Sequence, residues 1–162
     1  MFSKICMPVS QKGILYVGDK MMNDEQLLTS MLHTVQMGQS GIRSVIKHAI
    51  GANLKKELQS QLKEYDSMEK ETLSLASDKG LELKNLNPAL ETMSSMMSKI
   101  QLAGGEKDSK IAGMLIQGNT RGMILGIKSL RKASQVDPKV RDLGKRLLNR
   151  QNINIQKSQQ FL

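Results

Sequence analysis

Uncharged polar side chains recur near the middle of four helix-patterned segments: Gln36, Gln39, Gln61, Tyr65, Gln117, Asn119, Thr120, Gln151 and Asn154. Amides and hydroxyls donate and accept hydrogen bonds without carrying charge. Burying one unpaired costs about 1–3 kcal/mol, so a central set is expected to bond internally or to hold water. The alternative is that many of them face solvent. The acids that metal or acid–base chemistry needs are scarce: from Ser109 to Leu162 the only carboxylates are Asp137 and Asp142. The two His, His33 and His48, lie off the apolar stripe of their helix and read as surface or boundary residues. No phosphate loop and no Cys/His cluster with zinc spacing occurs. A Ser-His-acid triad is open by composition, but nothing marks one. The expectation is a protein that is not an enzyme and carries no cofactor.

Two further groups stand out. Gly118, Gly122 and Gly126 fall at steps of four in one helical segment, and Gly38 and Gly41 of another are the candidate surface facing them. Glycine inside a helix costs about 0.5–1 kcal/mol relative to Ala, so close helix approach is expected there, with a ligand groove as the alternative. Arg121, between the glycines, either caps the polar centre or reaches solvent. The basic residues Lys128, Arg131, Lys132, Arg141, Lys145, Arg146 and Arg150 surround the last inter-helix turn, and Arg43, Lys47, Lys55 and Lys56 flank the first. Residues 1–81 hold ten Lys/Arg against nine Asp/Glu, whereas residues 82–162 hold fourteen against six. Such asymmetry marks either a solvated basic face or a surface for polyanions. No aromatic residues interleave with these cations, so nucleic-acid binding would be phosphate-driven and salt-sensitive.

Helices must position all of these groups. Leu28, Met31, Val35, Gly38, Ile42, Val45 and Ala49 fall on one helical face. Asn23 with Gln26 forms a capping-box pattern at its start, and Gly51 ends it. A second helix runs from about Asn53 to Lys79 and stops at Gly80. Asn87-Pro88 opens a short helix that ends at Gly104-Gly105. Asp108 or Ser109 caps the next long helix, and Asp137-Pro138 starts the last. About 28 residues separate the two hairpins, and about 16 helical residues span about 24 Å at ~1.5 Å per residue. That suffices to carry the chain along a bundle. The alternative is an ordinary up-down bundle with an extra helix.

The segment Leu32-His-Thr-Val-Gln-Met-Gly-Gln-Ser-Gly-Ile-Arg-Ser-Val-Ile-Lys-His-Ala49 is similar to the first helix of an uncharacterised bacterial ferritin-like family. Gly51-Ala-Asn-Leu-Lys-Lys-Glu-Leu58, with Lys79-Gly80-Leu81, resembles spore coat proteins of the same superfamily. Leu147-Leu-Asn-Arg-Gln-Asn-Ile-Asn-Ile-Gln156 resembles the final helix of rubrerythrin-like proteins. The resemblance implies an all-α, ferritin-like four-helix bundle of two hairpins joined by a long crossover. It also implies a di-iron site on Glu and Glu-x-x-His. Here the Glu-x-x-His positions are Gln151 and Asn154, and the matching pair on helix two is about Leu62 and Tyr65. On helix one the position is Gln36 or Gln39, and on the third long helix it falls between Gln117 and Thr120. None is an acid, so the metal ligands are missing.

A chain of 162 residues is expected to form one domain over residues 23–162. Residues 1–22 read as a strand or a loose tail. A third reading is that Val17-Gly-Asp-Lys-Met21-Met22 reflects a ribosome-binding sequence before a true start at Met21 or Met22. Cys6 alone allows no internal disulfide, and no apolar run of about 18 residues suggests a membrane span. A cytoplasmic setting is therefore expected, extended by the resemblance to a spore-associated one. The expected role is a structural or protein-interaction module, through a protein partner or self-association. A DNA- or polyanion-binding protein is the first alternative, and a small-molecule binder at a glycine-lined centre the second. An exposed apolar patch, a contiguous basic face or an enclosed pocket would separate the three.

Overall fold

The computed structural model describes residues 21–86, 100 and 104–162. Four long helices and no strand occur among them: α1 (Asp24–Val45), α2 (Ala52–Asp78), α3 (Lys107–Lys132) and α4 (Pro138–Gln159). Residues 1–20 of the expected tail and most of the expected short helix lie outside the described residues.

Local signals account for most helix ends. Asn23 accepts from Gln26 N at 2.9 Å and Gln26 returns a bond to Asn23 N at 3.1 Å, closing the capping box. Asp137 accepts from Lys139 N at 2.8 Å with Pro138 in the first turn of α4. After α2, Gly80 takes φ +65°, and Gly80 N and Leu81 N bond back to Ser77 and Ala76 carbonyls. The start of α3 differs from expectation. Its cap position is Glu106, without a side-chain bond. Asp108 turns away from its own helix and accepts from Ile50 N and Gly51 N, each at 2.7 Å. It thereby caps α2, whose own Gly51 has no side chain to do so.

These long-range bonds fix the helix directions. Met22 N bonds to Lys132 O, so α1 starts where α3 ends. Asp108 meets Gly51 at the opposite end. Lys79 pairs with Asp24 at 2.9 Å and Asp137 at 2.6 Å, joining the start of α1, the end of α2 and the start of α4. α1 and α4 therefore run up and α2 and α3 down. The connection between Asp78 and Lys107 must join opposite ends of the bundle. Its first residues already climb along α1: His33 bonds to the Lys84 carbonyl at 2.9 Å and Gln36 accepts from Leu86 N at 2.8 Å.

Leu28, Met31, Ile42, Leu58, Ile111, Val140 and Leu143 are buried in one continuous core, as is Ile100. Burial of apolar area at about 25 cal/mol per Å² drives this packing. The two turns lie at opposite ends, so the basic group around residues 43–56 and that around residues 128–150 are separated. No helix among the described residues is long and apolar enough to cross a membrane.

Candidate functional site

At mid-bundle, α2 contributes Gln61 and Tyr65, α3 contributes Asn119, and α4 contributes Gln151 and Asn154. All are buried. Each sits on the core-facing stripe of its helix: Leu58, Gln61, Tyr65 and Met68 follow at steps of three and four, as do Ile111, Leu115, Asn119 and Gly122. The Tyr65 hydroxyl donates to Asn119 Oδ1 at 2.7 Å, and Asn119 Nδ2 donates to the Leu115 carbonyl at 2.9 Å. Gln61 Nε2 donates to Glu57 at 3.0 Å.

Among the described residues, several atoms of this cluster have no partner. Both amide atoms of Asn154 are buried and unpaired, as are Gln61 Oε1 and Gln151 Oε1. Asn154 approaches the Tyr65 hydroxyl closely enough to perturb it, but outside hydrogen-bonding geometry. Buried water typically makes about three hydrogen bonds to such groups, and the donor and acceptor mixture here suits it.

Burial pushes the Tyr65 hydroxyl up to about 12. The Asn154 amide pulls the other way, the Glu64 charge pushes further up, and Gln151 pulls down. A folded value above the ordinary one of about 10 means that this stability is complete below about pH 10 and is lost as pH rises towards about 12. Tyr16 and Tyr65 are the chain's two Tyr. In a Tyr16→Phe variant, near-ultraviolet absorbance should show little phenolate at the ordinary Tyr pKa of about 10. Ionisation at that ordinary value would place the Tyr65 hydroxyl in solvent and refute its burial.

Gln117 and Thr120 are exposed, although both were expected in the centre. They flank Asn119 at about 100° per residue, so they cannot share its face. Gln36 and Gln39 are also displaced from the centre. Gln39 is buried but donates to Asp66 at 2.9 Å and Glu69 at 2.8 Å across the α1–α2 seam. Gln36 donates to Glu69 at 2.9 Å and Asn85 at 3.0 Å, and so pins the start of the return connection. The Gln39 bond, with help from Gln36 and Arg43, holds the Glu69 carboxyl below its ordinary range. His33 and His48 are both partly buried, and His48 Nε2 is unpaired.

The glycines divide in the same way. A Cβ on Gly38 would meet the Tyr65 ring at 2.7–3.1 Å, so Gly38 admits a side chain of α2 and not the α3 glycines expected opposite it. Gly122 lies under the Gln151 amide, and Gly126 would place a Cβ 2.6 Å from Leu148. Gly41 and Gly118 have nothing within 4 Å, contrary to the expected close packing. Gly144, on which Leu130 and Met31 pack, was not singled out by the sequence, although it falls between Val140 and Leu147 on the α4 stripe.

The basic set is partly consumed by the fold. Arg146 binds Glu71 and, at 3.0 Å, Asp142. Arg150 binds Glu64 at 2.9 Å. Arg141 donates to the carbonyls of Leu130 and Ala133 at the end of α3. Of the last-turn set, Lys128, Arg131 and Lys145 stay exposed without a carboxylate partner among the described residues, while Lys132 is half-buried. Arg121 reaches solvent. Among the described residues, no group of three or more His, Cys, Asp and Glu could hold a metal ion.

The sequence matches no family model, and comparison with curated proteins and with solved structures finds no significant relative.

Proposed function

We propose that this chain is a non-catalytic ferritin-like bundle serving as a structural or protein-interaction module. The up-down-down-up helix order supports the ferritin-like reading, because a connection that returns along the bundle between two hairpins distinguishes that arrangement. A bundle of this kind would hold two irons between Glu and Glu-x-x-His on its helices. The residues present do not fit such a centre. The carrying observation is that the mid-bundle positions hold Gln61, Tyr65, Asn119, Gln151 and Asn154, all uncharged and buried. Amide oxygens cannot offset the charge of paired metal ions, and the Tyr65 ring packs directly against Gly38 of α1.

With its centre filled, the molecule presents function at its surface. Ile124, Leu125 and Ile127 of α3 are 49%, 57% and 39% exposed, more apolar side chain than one exposed helix turn needs. This favours protein contact over a polyanion, since Arg141, Arg146 and Arg150 are already engaged within the bundle. The resemblance to spore-coat-type proteins extends the proposal to a spore-associated setting.

Calorimetric titration of the full chain with Fe(II) and with Mn(II) tests the non-catalytic reading. No stoichiometric uptake is expected. Tight binding of about two ions per chain, the complement of a di-iron bundle, would overturn it.

A further inference from the structure

The outer seam between α3 and α4 joins exposed apolar and exposed basic side chains. Ile127, Leu130 and Leu148 line an open groove of about 530 Å³, with Arg131, Ser134 and Arg141 at its border. Exposed Ile124 adjoins it one turn back on α3. Arg131, Lys128 and Lys145 stand exposed along the same two helices. Of the hairpin's acids, Asp108 is held at the far end of α3 by Ile50 N and Gly51 N, and Asp137 and Asp142 are paired with Lys79 and Arg146. An apolar floor with a cationic rim results.

We infer that this seam binds an acidic amphipathic helix of a partner protein, which would lay apolar side chains on Ile124, Ile127 and Leu148 and carboxylates against Arg131, Lys128 and Lys145. The inference rests on the interaction-module reading and names its partner's chemistry. Helix-in-groove recognition needs apolar anchors at i, i+3, i+4 and i+7, and two antiparallel helices offer a straight groove to receive them. Charge selects among the occupants. A second copy would bring the same face to itself in a twofold dimer, setting Arg131, Lys128 and Lys145 against their own likeness. The chain's first twenty residues carry Lys4, Lys12 and Lys20 against Asp19 alone, again the wrong sign. A bare polyanion would leave the isoleucines uncovered.

The test titrates the full chain with a synthetic helix of about 18 residues, a length of about 27 Å, bearing Leu on one face and Glu on the other. Calorimetry gives the affinity and amide NMR shifts give the location. The expected result is binding with shifts confined to the α3–α4 seam. Ile127→Asp and Arg131→Glu should each weaken it about tenfold, the loss of one hot-spot contact. Leu73→Asp, on exposed α2 surface, should leave it unchanged, and a Leu/Lys helix should not bind. Absent binding, or binding insensitive to Ile127→Asp, overturns the inference. Equal affinity for polyglutamate or duplex DNA overturns it in favour of charge alone, and preference for phosphatidylserine vesicles in favour of a lipid surface. A dimer dispersed by Ile127→Asp overturns it in favour of a second copy. A failed peptide titration with the metal titration still negative removes the seam and leaves the bundle reading standing. Metal uptake removes the bundle reading itself.

Discussion

Tyr65→Ala should lower the stability of this protein by about 3–5 kcal/mol, the cost of removing a buried aromatic ring. Tyr65 is 2% exposed and its ring fills the mid-bundle space that α1 leaves open at Gly38. Its loss leaves a cavity that neighbouring helices close only in part. It also strips Asn119 Oδ1 of its donor, adding an unpaired acceptor to a cluster that already holds several. Tyr65→Phe separates the two contributions. It keeps the ring and should cost only about 1–3 kcal/mol, the penalty of one unsatisfied buried group. Urea unfolding of the three proteins measures both. Equal midpoints for the wild type and Tyr65→Ala would show that the ring does not fill the centre.

The glycines should respond to Ala with opposite signs. At Gly38 the new methyl would meet three atoms of the Tyr65 ring, a rigid group with no room to retreat. Overpacking of this kind costs about 1–3 kcal/mol. At Gly41 and Gly118 the methyl meets nothing, so only the backbone term remains, and each substitution should stabilise by about 0.5–1 kcal/mol. Thermal melts of the three single variants suffice. Stabilisation by Gly38→Ala would mean that α1 and α2 stand further apart at that level than described.

That contrast shows what a sequence can reveal about this bundle. Signals carried within a few residues read well. The Asn23 box, Gly80, Asp137-Pro138 and the apolar stripes all depend on neighbours in the chain, and the four long helices follow from them. What escaped depends on the phase of one helix against another. Proximity in the chain groups Gln117, Asn119 and Thr120, yet the spacing of Ile111 and Leu115 points at Asn119 alone. Gln36 and Gln39 have helix-middle positions, but their phase turns them towards Asp66 and Glu69 of α2. Asp108 looked like a cap for its own helix because the cap of α2 lies 57 residues away from it, at Gly51. No local pattern signals a bond of that span.

The ion pairs between α2 and α4 carry a consequence beyond their own strength. Glu57, Glu64 and Glu71 recur every seven residues and meet Lys157, Arg150 and Arg146. Surface pairs of this kind contribute at most about 1 kcal/mol each. They act instead as a gauge of alignment. Slide α4 by one turn in one direction and the three acids face Ile153, Arg146 and Asp142. One pair survives, one is lost and one becomes a repulsion. Slide it the other way and they face Phe161, Asn154 and Arg150, with two pairs lost. Each slip keeps one of the three pairs and one direction adds a repulsion, so the charges favour the observed register over both neighbours.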